Sequence, residues 1–147
     1  DSEIIKTQKY KNWFLEVYMD KYYDVIEKLD KNIENNKVII YRGMIVKKNW
    51  IEHLNKEGKH LGIYWTFDFD SAIAHWGSYT QGQFIKLQAE IDEKYINWNE
   101  TIRMNLLLDE ENEIRLFKNT PIIINHIYNE DDQEIDISPI KNKIFKA

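Results

Sequence analysis

The chain of 147 residues lacks cysteine altogether and contains only two prolines and five glycines. Without cysteine, neither a disulfide framework nor a cysteine-ligated zinc site is possible. The sequence also has no apolar run long enough to span a bilayer and no recognisable signal peptide, so we expect no membrane partner. Its net charge of −5 argues against electrostatic binding of nucleic acid by the whole domain. A local basic patch that binds nucleic acid stays open.

What the chain does contain is a large apolar fraction, with 43% hydrophobic residues and 14% aromatic residues. This composition indicates a folded protein with a core, and a chain of this length corresponds to one domain. All five glycines fall between residues 43 and 82. The tightly turned backbone expected around a ligand is therefore predicted for the middle of the chain.

Hydrophobic spacing predicts helices first and strands afterwards. Apolar residues at three- and four-residue steps predict helix over residues 2–34, with a core-facing stripe and a stop at Asn35 and Asn36. A short helix is predicted at 50–57, ended by Gly58, and another from Asp68 or Asp70 to Gly77. Strands are predicted at 38–42, 62–66, 84–91, 111–117, 121–128 and 135–137, whereas residues 92–110 fit no single pattern. The predicted fold class is α+β with an antiparallel-rich sheet.

The segment 110–117 places charged side chains on one face of a predicted strand. Glu111, Glu113 and Arg115 alternate with the apolar Ile114 and Leu116, and side chains two apart in a strand point the same way. Two neighbouring carboxylates repel each other. The motif is therefore either a solvated strand face with Arg115 as counter-charge or a pair of functional carboxylates.

Two other segments precede this motif in an order found in a known enzyme class. Tyr41-Arg42-Gly43 ends the first predicted strand, and Tyr64-Trp65-Thr66 ends the second. Followed by Glu111 and Glu113, this order resembles the mono-ADP-ribosyltransferases of the arginine–serine–glutamate class, over about residues 38–128. The run ENEIRLFKNTPIIINHIY looks like their Glu-x-Glu strand and the strand after it. The run GIYWTFDFDSAIAHWG looks like the Gly-x-Ser-Trp-Thr segment of small bacterial and phage-type members.

The resemblance implies a domain organisation and a substrate. Residues 1–147 would form a single ADP-ribosyltransferase-like domain. Its helical N-terminal part would cover residues 1–36, and an NAD-binding core with a split, antiparallel-rich sheet would cover residues 37–147. NAD would serve as the substrate, without a metal ion.

The resemblance also implies roles for individual residues. Glu113 would stabilise the positive charge that develops on the ribose of NAD, and Glu111 would hold and activate an arginine acceptor. Arg42 would grip a phosphate or ribose of NAD, and Gly43 would let the ligand approach the backbone.

The chain departs from the pattern of the class at Tyr64, where a serine normally orients the catalytic glutamate. Tyr64 and Thr66 share a strand face, so either hydroxyl could reach Glu113. Trp65 is placed to stack on nicotinamide, although aromatic residues in a chain this rich in them more often belong to the core.

The expected activity is transfer of ADP-ribose from NAD to an arginine of a protein target. Such an enzyme would be a toxin, an effector or a phage-encoded protein that acts in the cytoplasm of a host or target cell, reached by secretion or injection. An antitoxin or immunity protein would be a further partner, and a nucleic-acid acceptor stays open. Two alternatives also stay open: an NAD glycohydrolase toxin, and an inactive module that binds a nucleotide or protein in the same cleft.

Overall fold

The computed structural model describes residues 2–57, 60–73, 82–107 and 112–147. These residues form three α-helices and a seven-stranded antiparallel sheet, so the predicted α+β class is confirmed. The helices are α1 (Ser2–Asp30), α2 (Trp50–Glu57) and α3 (Trp98–Leu107). The strands are β1 (Ile33–Glu34), β2 (Lys37–Val46), β3 (Tyr64–Thr66), β4 (Gln83–Asp92), β5 (Glu113–Arg115), β6 (Pro121–Tyr128) and β7 (Ile144–Lys146). Their order in the sheet is β5-β3-β2-β4-β6-β7, with β1 paired to β2.

The two central strands, β2 and β4, pair along their whole length, from Lys37 opposite Asp92 to Val46 opposite Gln83. The strands predicted at 38–42 and 84–91 are confirmed, and β2 continues four residues further, to Val46. One face of this pair is apolar and fully covered. It forms the middle of the hydrophobic core together with Trp65, Ile114, Ile122, Ile127 and Phe145.

The N-terminal helix is shorter than predicted. It ends at Asp30, and residues 33 and 34, predicted as helix, form β1. Asn35 and Asn36 adopt positive φ angles of 52° and 62° and make the two-residue turn from β1 into β2. Asparagine tolerates this left-handed backbone better than most residues, so the pair that was expected to stop a helix turns a hairpin instead.

The apolar stripe of α1 is core only near its C-terminal end. Val25 and Leu29 are buried, but Val17 and Tyr18 are 38% and 36% exposed. The core prediction is therefore wrong for these two residues. No described helix is both long and apolar enough to cross a lipid bilayer.

Within the described part of the segment after β3, a 3₁₀ turn forms at Phe69–Ser71, and residues 72 and 73, where the predicted helix would continue, are not helical. The Asp68 carboxylate caps this turn by accepting from the backbone N–H and the hydroxyl of Ser71, so the predicted cap is confirmed. Gly77, the predicted helix end, lies outside the described residues, as does Gly58.

The last strand lies where no strand was predicted. Residues 135–137 form no strand, while β7 follows at Ile144–Lys146 and pairs with β6. The cause is Phe145, which is 1% exposed and inserts into the core from a stretch dominated by lysines. Residues 92–110, which fitted no pattern, contain a 3₁₀ turn at Glu93–Tyr95 and the helix α3.

Candidate functional site

A row of polar side chains crosses five strands on one face of the sheet. Glu113 of β5 lies opposite Thr66 of β3, which in turn lies opposite Tyr41 of β2. Tyr41 pairs with Gln88 of β4, and Gln88 pairs with His126 of β6. Directly opposed residues of antiparallel strands share a face. These five residues therefore form one continuous row, named here the polar row.

A second set of polar residues lies beside the polar row on the same face. Arg115 is opposite Tyr64, while Lys86 is opposite both Gly43 and Tyr128. The intervening residues of these strands point to the other face and into the core. The sheet therefore separates an apolar core from a face that carries the carboxylate, hydroxyl and cationic side chains.

The edge strand β5 is held in place by side chains of α3. The Asn105 amide donates to the carbonyl of Glu113 at 2.8 Å and accepts from its N–H at 3.1 Å. The Thr101 hydroxyl accepts from the N–H of Arg115 at 3.0 Å, and Asn97 N–H donates to its carbonyl at 2.8 Å. An edge strand exposes backbone groups on its outer side. Here the helix supplies their partners, so both charged residues of β5 have a fixed backbone.

Glu113 and Arg115 are buried, with exposures of 6% and 7%. The interpretation of this segment as a solvated strand face is therefore wrong for both residues. Oε2 of Glu113 lies 4.0 Å from Nη2 of Arg115. A carboxylate removed from water needs cations nearby, because burial disfavours its charged form. Glu111, the predicted acceptor-activating residue, lies outside the described residues.

Of the two hydroxyl residues considered for the serine position, Thr66 is the one that lies opposite Glu113. Its hydroxyl is buried, donates to the carbonyl of Asn112 at 2.8 Å and accepts from the N–H of Asp68 at 3.2 Å. The ring of Tyr64 is 45% exposed and covers Arg115, whose Cζ lies 4.0 Å from the ring centroid. Tyr64 thus packs on Arg115 of β5, and Thr66 lies opposite Glu113 of the same strand.

Arg42 ties β3 to β2 from the face opposite the polar row, where it pairs with the buried Leu87. Its Nη1 donates to the carbonyl of Tyr64 at 2.6 Å, just beyond the registered pair of Tyr41 and Thr66. The guanidinium packs on Gly62, where an added Cβ would lie 3.4 Å from Cζ of Arg42. Its Nε is buried and has no hydrogen-bond partner within the described residues.

Arg42 lies within electrostatic reach of Glu113. Burial lowers the pKa of Arg42 below its usual value, and the negative charge of Glu113 opposes that shift. The structure therefore places Thr66 and Glu113 opposite each other on one face of the sheet, whereas Arg42 is opposite Leu87 and extends from the other face of the neighbouring strand β2.

The structure corrects the roles expected for Trp65 and Gly43. Trp65 is 2% exposed, and its indole N–H donates to the carbonyl of Gly62 at 2.8 Å. It lies in the core, on the face opposite Glu113, so it offers no stacking surface for nicotinamide. A Cβ on Gly43 would lie 2.7 Å from the carbonyl carbon and oxygen of Ile73. The close approach at Gly43 is therefore made by the chain's own backbone.

An aromatic and cationic cluster covers the middle of the polar face, and sequence reasoning missed it. Lys86 Nζ donates to the carbonyl of Phe69 at 2.9 Å and lies 4.0 Å from its ring centroid. The same ring meets Tyr41 and Tyr128 edge to face, at centroid distances of 5.5 and 5.3 Å. Burial raises the pKa of Tyr41, and the nearby Tyr128 and Asp68 raise it further. The alternation along β4 indicated a polar face there, but only the register shows what lies on it.

The far end of the polar row is a hydrogen-bonded histidine. Nδ1 of His126 bonds to the Glu134 carboxylate, and its ring stacks on Tyr128 at 6.2 Å between centroids. The Tyr128 hydroxyl donates to Oε1 of Gln88 at 3.1 Å. Over the described ranges, no group of three or more histidine, aspartate or glutamate side chains could hold a metal ion.

Comparison with known proteins identifies no relative of this chain. No protein-family model, no curated protein and no solved structure matches the chain. The functional interpretation therefore depends on the geometry of the polar face and on the resemblance of its motifs.

Proposed function

We propose that this protein is an NAD-dependent mono-ADP-ribosyltransferase with an ADP-ribosyltransferase-like fold. One observation carries the proposal. Arg42, Thr66 and Glu113, the residues that match the arginine, hydroxyl and glutamate motifs of that class, lie on the neighbouring strands β2, β3 and β5. A chance occurrence of three short motifs in a sequence would not require them to lie on adjacent strands.

The chemistry of NAD cleavage suits a buried carboxylate. The bond between C1′ of the ribose and the nicotinamide nitrogen breaks, its electron pair leaves with neutral nicotinamide, and positive charge develops on the ribose. A nucleophile on the acceptor then forms a bond to C1′ and loses a proton. Glu113 is 6% exposed and held by α3. A fixed negative charge in a site with little water stabilises such a cation strongly.

Cationic groups around Glu113 suit the rest of the substrate. The Nε atoms of Arg42 and Arg115 are both buried and have no hydrogen-bond partner within the described residues. Buried donors in native proteins are almost always satisfied. An unsatisfied guanidinium donor next to the carboxylate of Glu113, with a second guanidinium within electrostatic reach of it, fits a substrate that carries an anionic diphosphate.

The tyrosine at the usual serine position favours a second candidate, a nucleotide-binding module that does not turn NAD over. The ring of Tyr64 covers Arg115, with its centroid 4.0 Å from Cζ. Without the orienting serine, the cationic groups could still bind a nucleotide while the glutamate fails to promote cleavage. The acceptor, whether arginine, another protein group, a nucleic-acid base or water, depends on Glu111 and is part of the proposal.

The first expected result is metal-independent release of nicotinamide from NAD by the purified protein. The motivation is the buried carboxylate of Glu113 opposite Thr66, which would supply the charge stabilisation from side chains alone. Nicotinamide is measured in excess chelator, and full activity is expected. A strict requirement for a divalent cation contradicts this mechanism, and binding of NAD without turnover selects the second candidate. Labelled NAD added to a cell lysate then separates transfer to protein from hydrolysis.

The second expected result concerns Arg42→Lys, which keeps the charge but loses the planar fork. A charged hydrogen bond contributes about 1.5–3 kcal/mol, so NAD affinity should fall roughly tenfold or more. Loss of the bond to Tyr64 should also lower the melting temperature. Calorimetric titration with NAD and a melting curve measure the two effects. Unchanged NAD affinity in a folded Arg42→Ala protein would show that Arg42 only joins the strands.

A further inference from the structure

Arg115 is a buried arginine whose guanidinium is poorly satisfied. It is 7% exposed, and its Nε has no hydrogen-bond partner within the described residues. Its two carboxylate neighbours, Oε2 of Glu113 and Oε2 of Glu100, lie 4.0 Å from Nη2 and Nη1. Both distances exceed that of a hydrogen bond. Leaving a buried donor unmade costs roughly 1–3 kcal/mol, and more for a charged group.

The surroundings of Arg115 restrict its side chain. Its backbone is bonded to Thr101 and Asn97 at the start of α3, and the Tyr64 ring covers one face of the guanidinium at 4.0 Å. A free arginine side chain carries large conformational freedom, which binding would have to remove. Burial and the Tyr64 ring already remove part of that freedom.

A cleft beside Arg115 brings further positive potential. It is lined by Arg115, Phe117, Lys118 and the first turn of α3, including Asn97 and Glu100. The start of an α-helix carries partial positive charge, and here the Asn97 side chain already accepts from the N–H of Glu100 at 3.3 Å. The Glu100 carboxylate opposes this potential, but its Oε1 lies 3.3 Å from the exposed Arg103, which draws it outwards. The cations of this region outnumber its carboxylates.

We propose that Arg115, with Lys118 and the first turn of α3, forms a binding site for a phosphate oxyanion of a nucleotide. The planar fork of arginine matches two phosphate oxygens, which would satisfy the donors that the protein leaves unmade. Only the identity of the ligand rests on the function proposed above, in which the diphosphate of NAD occupies the site. Glu100 competes with the phosphate for Arg115, so its carboxylate lowers the affinity of the site for phosphate.

Calorimetric titration at low ionic strength tests the site with inorganic pyrophosphate, NAD and a single-stranded oligonucleotide. Arg115→Gln should weaken pyrophosphate binding by about tenfold or more, because charged hydrogen bonds are lost. Glu100→Gln should tighten it, because the competing carboxylate is gone. Lys141→Gln is the control: it removes the same charge from an exposed position outside the cleft, so a change within about threefold is expected.

The outcomes separate the site from the proposed function. Weakening of both pyrophosphate and NAD by Arg115→Gln supports the site and its NAD diphosphate ligand. If pyrophosphate binding depends on Arg115 but the protein neither binds nor cleaves NAD, the site is supported and the proposed function is wrong. Tight binding of the oligonucleotide would then identify a nucleic acid as the ligand that supplies the phosphate. NAD turnover with an affinity unaffected by Arg115→Gln overturns the site alone. If Arg115→Gln does not fold, unchanged pyrophosphate affinity in Glu100→Gln overturns it.

Discussion

Glu113→Gln is expected to reduce both NAD hydrolysis and ADP-ribose transfer by about 10²–10³-fold, the usual cost of removing one preorganised electrostatic group. The swap preserves the size of the side chain and removes its charge. Glu113 faces the polar side of the sheet, is 6% exposed and lies opposite Thr66. Nicotinamide release and incorporation of labelled ADP-ribose into protein measure the two activities.

A melting curve is an essential control for this variant. Glu113 is buried next to Arg115, and removing one partner of a buried ion pair destabilises more than a surface change does. Glu90→Gln, which removes an exposed carboxylate from β4, should leave activity and stability unchanged. Undiminished hydrolysis in a folded Glu113→Gln protein would mean that this carboxylate serves only to neutralise Arg115.

Glu111→Gln tests whether recognition of the acceptor and cleavage of NAD depend on different carboxylates. On the resemblance, Glu111 acts on the acceptor, so the variant should lose transfer to protein arginine and keep much of the slow hydrolysis by water. Both activities are measured under the conditions used for Glu113→Gln. Equal loss of the two activities would remove the case for an arginine acceptor.

The elements that sequence predicted well are those whose pattern is local. β4 alternates apolar and polar residues over the eight positions from Ile85 to Asp92, and β6 was predicted with the bounds that it has. In contrast, β7 depends on one residue, Phe145, which pairs with Ile122 of β6. A single aromatic residue among lysines gives no periodic signal, and its burial is decided by a distant strand.

The candidate site shows the same division between local and distant information. Alternation alone placed Trp65 on the face opposite Tyr64 and Thr66, so its place in the core followed from the sequence, although the motif suggested a ligand. The meeting of Tyr41, Gln88 and His126 with Thr66 depends on strand register, which long-range pairing sets. The burial of Glu113 depends on what covers a strand face, and periodicity does not report that.

Asn105 is the residue on which the position of Glu113 depends most directly. Its amide makes hydrogen bonds to both backbone groups of Glu113, at 2.8 and 3.1 Å, and a third to the carbonyl of Thr101 at 2.7 Å. Asn105→Ala leaves the edge of β5 without these partners. Each unsatisfied buried group costs about 1–3 kcal/mol, so the free energy of unfolding should fall by about 2–4 kcal/mol. That loss is a large fraction of the roughly 5–15 kcal/mol that stabilises a typical domain.

Two further variants show whether this loss acts through β5. Asn99→Ala makes the same substitution at an exposed position of α3, and its effect should stay within about 0.5 kcal/mol. Asn105→Asp can still accept from the Glu113 N–H but cannot donate to its carbonyl, so its stability should lie between those of the wild type and Asn105→Ala. Urea denaturation gives the three free energies, and nicotinamide release at a temperature where all variants are folded gives the activities. If Asn105→Ala is as stable as Asn99→Ala, the helix does not hold the strand. If it is destabilised but fully active, the strand does not need the helix to place Glu113.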